Sequence, residues 1–206
     1  MSSPAADAIL LAAGAGRRFG GPKALMEVRG TWVLPMLVEA LRAGGCARVT
    51  VVLPEKIADL VEQRGECGAD VVARNADPGA GRTGSIQCGL QAMGALQGPL
   101  LVHPCDIPLL AGAVVARLIA AWREHAERDS ALIRPVTPGG KGGHPLVLGA
   151  LQVEELRRYP VDRPLRDLLR DHADRVQNVV IRGDPGPFLD VDTPEQLQLL
   201  ESLLDR

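Results

Sequence analysis

A chain of 206 residues, 46% hydrophobic and 23% charged, carries enough apolar material for a sizeable core and the balance of a soluble globular protein. A net charge of −2 from dispersed lysines and arginines speaks against nucleic acid as a partner, and 2% aromatic residues against stacking platforms for single strands. The N-terminus lacks a basic start, no apolar run reaches the roughly 20 residues that span a bilayer, and Cys46, Cys67, Cys88 and Cys105 form no Cys-x-x-Cys, so no membrane, zinc or disulfide role is expected, and a reducing, cytoplasmic setting is.

In chain order, short apolar runs alternate with longer amphipathic ones. Residues 8–13, "AILLAA", read as a buried strand and 31–44 as a helix stopped by Gly44-Gly45. Residues 48–53 read as a strand rich in β-branched residues, 55–65 as a helix closed by Gly65, and 69–74 as a third strand. A helix weakened by two glycines is expected over 82–96, a strand over 98–104, and the longest helix over 111–128. This repeated βαβα rhythm predicts a mostly parallel sheet with helices on both faces, a three-layer α/β/α fold of the Rossmann-like kind.

After residue 129 the rhythm changes. "SALIRPV" and "HPLVLG" read as strands joined by the Gly-rich turn "TPGGKGG", followed by a helical piece over 164–173 and a strand over 175–181. The end, "FLDVDTPEQLQLLESLLDR", reads as a short strand entering a helix with Thr193 as N-cap, Pro194 in the first turn and Glu195 at the positive end of the helix dipole. No linker or repeat divides the chain. One domain over 1–206 is expected, with a first part over 1–110 and a second over 111–206.

The chemistry concentrates in "LLAAGAGRRFGGPKAL", residues 10–25. A dinucleotide fingerprint needs Gly-x-Gly-x-x-Gly opening a helix, but here the third glycine comes one place late, as Gly14-x-Gly16-x-x-x-Gly20. A phosphate loop of the Walker type needs Gly-Lys-Ser/Thr, but Lys23 follows Pro22 and precedes Ala24. A plain glycine turn with surface arginines leaves Lys23 unexplained. Glycines let backbone N–H groups converge on an anion, and Arg18 and Lys23 add full charges, as a pyrophosphate leaving group requires. Arg17 reads as solvated.

Such a ligand needs a divalent cation, and magnesium favours one or two carboxylates plus phosphate oxygens. Asp106 follows the fourth strand in "LLVHPCDIPLL". Asp190 and Asp192 in "FLDVDTPEQL" are spaced i, i+2, which in an extended strand puts both on one face. A turn or cap role is the alternative for Asp106 and for Asp192.

These segments together resemble the nucleotidyltransferase family that includes molybdenum-cofactor cytidylyl- and guanylyltransferases. Its signature, L-A-A-G-x-[SG]-x-R-[MF]-G-x-x-K, is similar to Leu11-Ala12-Ala13-Gly14-Ala15-Gly16-Arg17-Arg18-Phe19-Gly20-Gly21-Pro22-Lys23. The likeness continues through "RNADPGAGRTGSIQCGL", "HPCDIPLL", "GGHPLVLG", "PLRDLLRDH" and "DVDTPEQL". Pro104-Cys105, where a Gly before the Asp is usual, departs from the pattern near the metal; Gly16 for Ser and Phe19 for Met are milder departures.

The resemblance implies a nucleotidyltransferase fold and the following roles. Leu11, Ala12, Ala13, Gly14 and Gly16 hold the nucleotide, with Arg18 and Lys23 on its phosphates. Asp106 binds Mg²⁺, completed by Asp192, slightly preferred, or Asp190. Arg82 and Ser85 lie in an Arg-x-x-Ser pattern similar to the base-recognising segment of methylerythritol-phosphate cytidylyltransferases, a helix-end cap being the alternative for Ser85. Asn75 and Asp77 contribute weakly to the base or acceptor pocket. His144 sits in an acceptor-side Gly-His-Pro segment, a buried polar role being its alternative. CTP is the favoured nucleotide and molybdopterin the favoured acceptor, with a client molybdoenzyme as a possible partner. A guanylyl or sugar-phosphate transferase stays open, as does a cofactor-binding or insertion factor without catalysis. The presence of Arg18, Lys23, Asp106 and Asp192 together favours the enzyme.

Overall fold

Every residue of Ala6–Leu11 (β1) is buried, because neighbouring strands flank it and helices cover both of its faces. Hence the apolar run is continuous rather than alternating. The computed structural model describes residues 5–14 and 16–204; Ala15 of the glycine-rich stretch and the last two residues of the expected C-terminal helix lie outside the described residues.

β1 pairs in parallel with Cys46–Pro54 (β4) on one side and Leu100–Pro104 (β6) on the other, and Val71–Asn75 (β5) extends the sheet beyond β4. The chain runs β1, β4, β5 outward and then returns to β6 across β1, so β1 marks the switch point of the sheet. Leu11 pairs with Val52 and with Pro104, and Pro54 with Asn75, so four strands end near one another. Loops at the carboxyl ends of strands flanking a switch point are where open α/β sheets bind ligands.

The rest of the sheet explains the change of rhythm after residue 129. Leu132–Val136 (β7) and Leu146–Leu148 (β8) pair antiparallel across the expected Gly-rich turn, β8 is antiparallel to β6, and Val176–Val180 (β9) is parallel to β7. The seven-stranded order is β5-β4-β1-β6-β8-β7-β9, with only β8 reversed. The sheet is therefore mostly parallel, as expected.

Helices Val33–Ala43 (α1) and Gly112–Glu124 (α4) bury Leu34, Leu37, Leu118 and Ile119 in the core on one face with Leu10, Val51 and Leu101. Helices Gly81–Met93 (α3), Ala150–Arg158 (α5) and Leu165–Asp171 (α6) cover the other face around Ile9, Val52 and Val102. Glu55–Arg64 (α2) links β4 to β5. The glycine that weakens α3 has a packing reason. A Cβ at Gly89 would lie 2.9 Å from both Ile9 Cδ1 and Val52 Cγ2, so glycine lets the helix approach the sheet.

Three expectations are corrected. The helix read over 31–44 starts at Val33, because Glu27–Val28 (β2) and Thr31–Trp32 (β3) form a small hairpin. Its two-residue turn places Arg29 at φ 53° and Gly30 at φ 73°, the left-handed pair that matches the twist of a tight hairpin. The strand expected before the last helix is absent: Gly186–Phe188 is a short 3₁₀ turn, and residues 189–193 run extended without a ladder partner. Helix α5 was not expected. Its buried apolar side chains are only Val153 and Leu156, with Gln152 buried beside them and Leu151 exposed. The C-terminal helix Pro194–Leu203 (α7) has the expected Thr193 N-cap, closed reciprocally by Gln196.

One buried charge lies at the end of the sheet away from the cleft. Asp7 has a side chain only 1% exposed, and its carboxylate accepts from Arg48 Nε at 3.0 Å and from the Gln97 backbone N–H at 2.8 Å. Arg48 also donates to the Met93 and Ala95 carbonyls, so the carboxylate anchors the end of α3 to β1 and β4. Asp7→Ala is expected to cost about 3 kcal/mol of unfolding free energy by denaturant titration, since it leaves a buried amide and a guanidinium short of their acceptor.

Candidate active site

A cleft of about 790 Å³ opens over the carboxyl ends of β1, β4, β5 and β6. From β1 come Leu11, Ala13, Gly14 and Gly16, with Arg17, Arg18 and Lys23 further along the same loop. The β4–α2 junction adds Pro54, Glu55, Lys56 and Ile57; the β5–α3 junction adds Asn75, Gly79, Arg82 and Ser85; the end of β6 adds Cys105 and Asp106; and Asp192 comes from the C-terminal segment.

The loop geometry follows from its glycines. Gly16 has φ +57°, and a Cβ there would come within 1.8 Å of the Gly21 carbonyl oxygen. Its own carbonyl accepts from Phe19 and Gly21 N–H, which folds the stretch back on itself. This return carries the chain to Pro22 and into a 3₁₀ turn, Lys23–Leu25, that starts at the key lysine.

Lys23 has a side chain only 9% exposed, and its ammonium contacts two acids: Asp192 Oδ1 at 2.6 Å and Asp106 Oδ2 at 3.5 Å. Arg18 Nη2 reaches the other oxygen of Asp192 at 2.8 Å. The Lys23 ammonium, with Arg18 beyond it, holds the Asp192 carboxyl below the usual carboxylate range. The two acids are tied together through the backbone as well, because Val191 N–H donates to the Asp106 carbonyl at 2.7 Å. Gln196 Oε1 accepts from the backbone N–H of Asp192 at 2.6 Å, so the cap of α7 also holds this turn.

Cys105 faces the cleft but is chemically quiet: burial, reinforced by Asp106, pushes its thiol up to about 12. The lining holds five cations (Arg17, Arg18, Lys23, Lys56, Arg82) against three carboxylates (Glu55, Asp106, Asp192), a net +2 that suits a polyanion.

The sequence-predicted residues divide as follows. Arg18, Lys23, Asp106 and Asp192 meet, and Leu11, Ala13, Gly14, Gly16, Arg82 and Ser85 line the cleft; Ala12 is buried beneath it. Ser85 hydrogen-bonds the Gly81 carbonyl and accepts from Asn75 Nδ2 at 3.1 Å, so both are partly used in holding the rim. Asp77 accepts from Ala80 N–H and caps a 3₁₀ turn. Asp190 is exposed and away from the cleft lining; without a strand, the i, i+2 spacing does not bring it beside Asp192.

His144 also lies outside the cleft lining. Its ring is tucked edge-on against His103, with centroids 6.5 Å apart. Burial, then the charge of Arg82, lowers its pKa to about 4, and burial lowers that of His103 to about 3. Because both pKa values lie below the ordinary 6.5, stability is complete above that pH and falls as acid protonates the unfolded chain first. The expected loss below pH 6.5 is about 1.4 kcal/mol per pH unit for each imidazole, read from urea unfolding at pH 7, 6 and 5. A His144→Gln variant should flatten the slope.

The sequence reading missed Glu55 and Lys56, and Arg17, read as solvated, is exposed at the same cleft. Position would have found them: Glu55 and Lys56 follow the end of β4 at the same edge of the sheet where the lysine loop leaves β1.

Comparison with known proteins settles the family. Residues 8–176 match the MobA-like NTP transferase domain. The chain belongs to this family. As a MobA-like domain it is 32% identical over 200 residues to a protein named nicotine blue oxidoreductase from Paenarthrobacter nicotinovorans, covering 96% of this chain and 97% of that one. It is 30% identical to a molybdenum cofactor guanylyltransferase from Shewanella sp. (strain MR-4), covering 97% of each. Among solved structures, the MobA-like fold superposes on a Mycobacterium tuberculosis H37Rv protein with a TM-score of 0.79 at 24% identity, over 98% of this chain and 100% of that one. The same mycobacterial protein was also solved with manganese, at a TM-score of 0.74 and 22% identity over 96% and 98% of the two chains. No helix among the described residues of this MobA-like domain is long and apolar enough to cross a membrane.

Proposed function

We propose that the protein is a magnesium-dependent nucleotidyltransferase that moves CMP from CTP to a phosphorylated, molybdopterin-type acceptor and releases pyrophosphate. The observation that carries the proposal is the Lys23 ammonium seated between Asp106 and Asp192 at the end of the glycine-rich loop. Two carboxylates that already share one cation form a donor set a hard divalent ion would accept, with phosphate oxygens completing its shell. The mycobacterial neighbour solved with manganese supports a metal at this fold. Bound there, the ion would supply charge to the α-phosphate and to the departing pyrophosphate.

The chain's own groups do the rest. Backbone amides of the loop at Gly14 and Gly16 face the phosphates, and Arg18 and Lys23 offset charge as it builds on the leaving group. Arg17, Lys56 and Arg82 extend the positive field across the cleft. An acceptor phosphate oxygen attacks the α-phosphorus in line, the bond to the β-phosphate oxygen breaks, and pyrophosphate leaves with that electron pair. The acceptor is already anionic, so no general base is required. On this reading residues 1–110 hold the nucleotide and 111–206 the acceptor, and a client molybdoenzyme receives the product.

The acceptor class rests on the relatives named molybdenum cofactor guanylyltransferase. Their name also makes GTP the second nucleotide to test, while the Leu-Ala-Ala-Gly start and Gly-His-Pro segment favour CTP. The relative named an oxidoreductase supports a second reading, in which the same cleft serves a reduction. One experiment separates these: pyrophosphate release is measured with CTP, GTP, ATP and UTP, magnesium and molybdopterin, beside consumption of reduced nicotinamide nucleotide. Release with CTP is the expected result. Release with GTP alone moves the base assignment; nicotinamide oxidation without pyrophosphate overturns the transferase reading.

A further inference from the structure

His103 is a fully buried imidazole, the penultimate residue of strand β6, away from the cleft lining, and nothing in the transfer chemistry uses it. Burying such a ring costs free energy unless it hydrogen-bonds, and a strand interior would hold an aliphatic residue more cheaply. Its Nε2 makes one contact, 2.9 Å to the carbonyl oxygen of Ile107. A carbonyl only accepts, so Nε2 carries the proton and donates. That bond spans Pro104-Cys105-Asp106, the turn that presents Asp106. The turn's own closing bond, Ile107 N–H to the Pro104 carbonyl, is 3.3 Å long, so the imidazole is the shorter of the two ties.

The ring is itself held in place. His144 packs edge-on against it, at 82° between planes, and is fixed by its backbone N–H to the Pro187 carbonyl at 3.0 Å. From the turn, the Asp106 carbonyl accepts from Val191 N–H, one residue from Asp192. A chain of contacts thus runs from His144 through His103 to the Asp106 turn and on to Asp192.

We propose that His103 is a positioning residue for the metal-binding carboxylates, fixing the Asp106 turn through the Ile107 carbonyl and, through Val191, the placement of Asp192. The proposal rests on the reading of Asp106 and Asp192 as the metal pair. Partners that orient metal ligands from behind are typically worth 10–100-fold in metal affinity.

The test is Mn²⁺ binding followed by its electron paramagnetic resonance signal, for manganese alone and with CTP, beside pyrophosphate release and thermal melting. His103→Leu keeps the bulk and removes the donor, whereas His103→Gln places an amide N–H close to where Nε2 stands. The expected result is an affinity at least about 10-fold weaker in His103→Leu, activity recovered by raising the metal concentration, and both returned by His103→Gln. Should His103→Leu fail to fold, His103→Asn, a polar side chain too short for Ile107, is expected to show the same weakening. Unchanged Mn²⁺ affinity in a folded donor-less variant overturns the proposal even if the wild type is an active transferase. Weakened affinity in a protein that releases no pyrophosphate with any nucleotide upholds it while sinking the transfer reading. A wild type that binds no Mn²⁺ overturns the metal pair and the proposal together.

Discussion

Lys23→Ala is expected to lower kcat/KM for pyrophosphate release by on the order of 10²–10³, the loss typical of one preorganised donor. Two effects combine in that number. The ammonium is nearly enclosed, so its charge on the leaving group is little screened by water. It also separates two acids, and without it Asp106 and Asp192 face each other with only Arg18 to offset them. The pH dependence gives a second, independent sign. Lys23 is the main cause of the lowered Asp192 pKa, so the wild type keeps this acid ionised as pH falls toward that depressed value. A depressed carboxylate contributes its pairing energy above its ordinary pKa and loses it as pH drops through the lowered one. In Lys23→Ala the acid limb of the kcat/KM profile should therefore move to higher pH. Lys23→Met, which keeps the stem packed, should reproduce both changes. Near wild-type turnover with an unmoved acid limb would reject the assigned role.

How much of this was legible in the sequence depends on the kind of signal each part leaves. The parallel half was readable because its central strands are largely buried: β1, β4 and β6 leave short apolar runs, and glycines mark several of the turns between them. The carboxyl edge was readable for the same reason, since the lysine loop leaves the end of β1 and Asp106 closely follows β6. What was lost has no local period. Helix α5 buries only two of its apolar side chains, Val153 and Leu156, while Leu151 faces solvent, so it shows no clean helical stripe and owes its place to docking beside α3. The stretch before α7 alternates like a strand, Leu189 and Val191 against Asp190 and Asp192, but the sheet already ends elsewhere, and Val191 instead donates its N–H to the Asp106 carbonyl. With that tertiary bond, Asp192 lines the cleft and Asp190 does not, a difference that spacing alone could not show. His144 lies apart from the cleft lining, its ring turned toward His103 and its pKa lowered to about 4 by burial, because the Gly-His-Pro pattern does not say which way the side chain points.

Asp106→Asn tests the metal side of the site with the least disturbance to the fold. The substitution keeps the side-chain volume and leaves the backbone carbonyl that accepts from Val191 N–H, so melting should stay close to wild type. It removes one of the two charges that face Lys23 and that a divalent ion would need. Lewis-acid stabilisation contributes several kcal/mol to such transfers, so loss of about 4 kcal/mol corresponds to on the order of 10³ in kcat/KM, with metal-dependent nucleotide binding lost by calorimetry. Asp192→Asn should fall in the same range, and the double mutant should lose less than the sum of the two single losses, because both acids serve one cation. Asp190→Asn is the internal control: exposed and outside the cleft, it should leave kcat/KM and metal dependence unchanged. Equal losses at Asp190 and Asp192 would mean that the loop's charge as a whole, rather than one placed carboxylate, carries the effect. Unchanged metal dependence in Asp106→Asn would take the metal away from this carboxylate and leave Lys23, Arg18 and the other basic side chains of the lining to offset the phosphates.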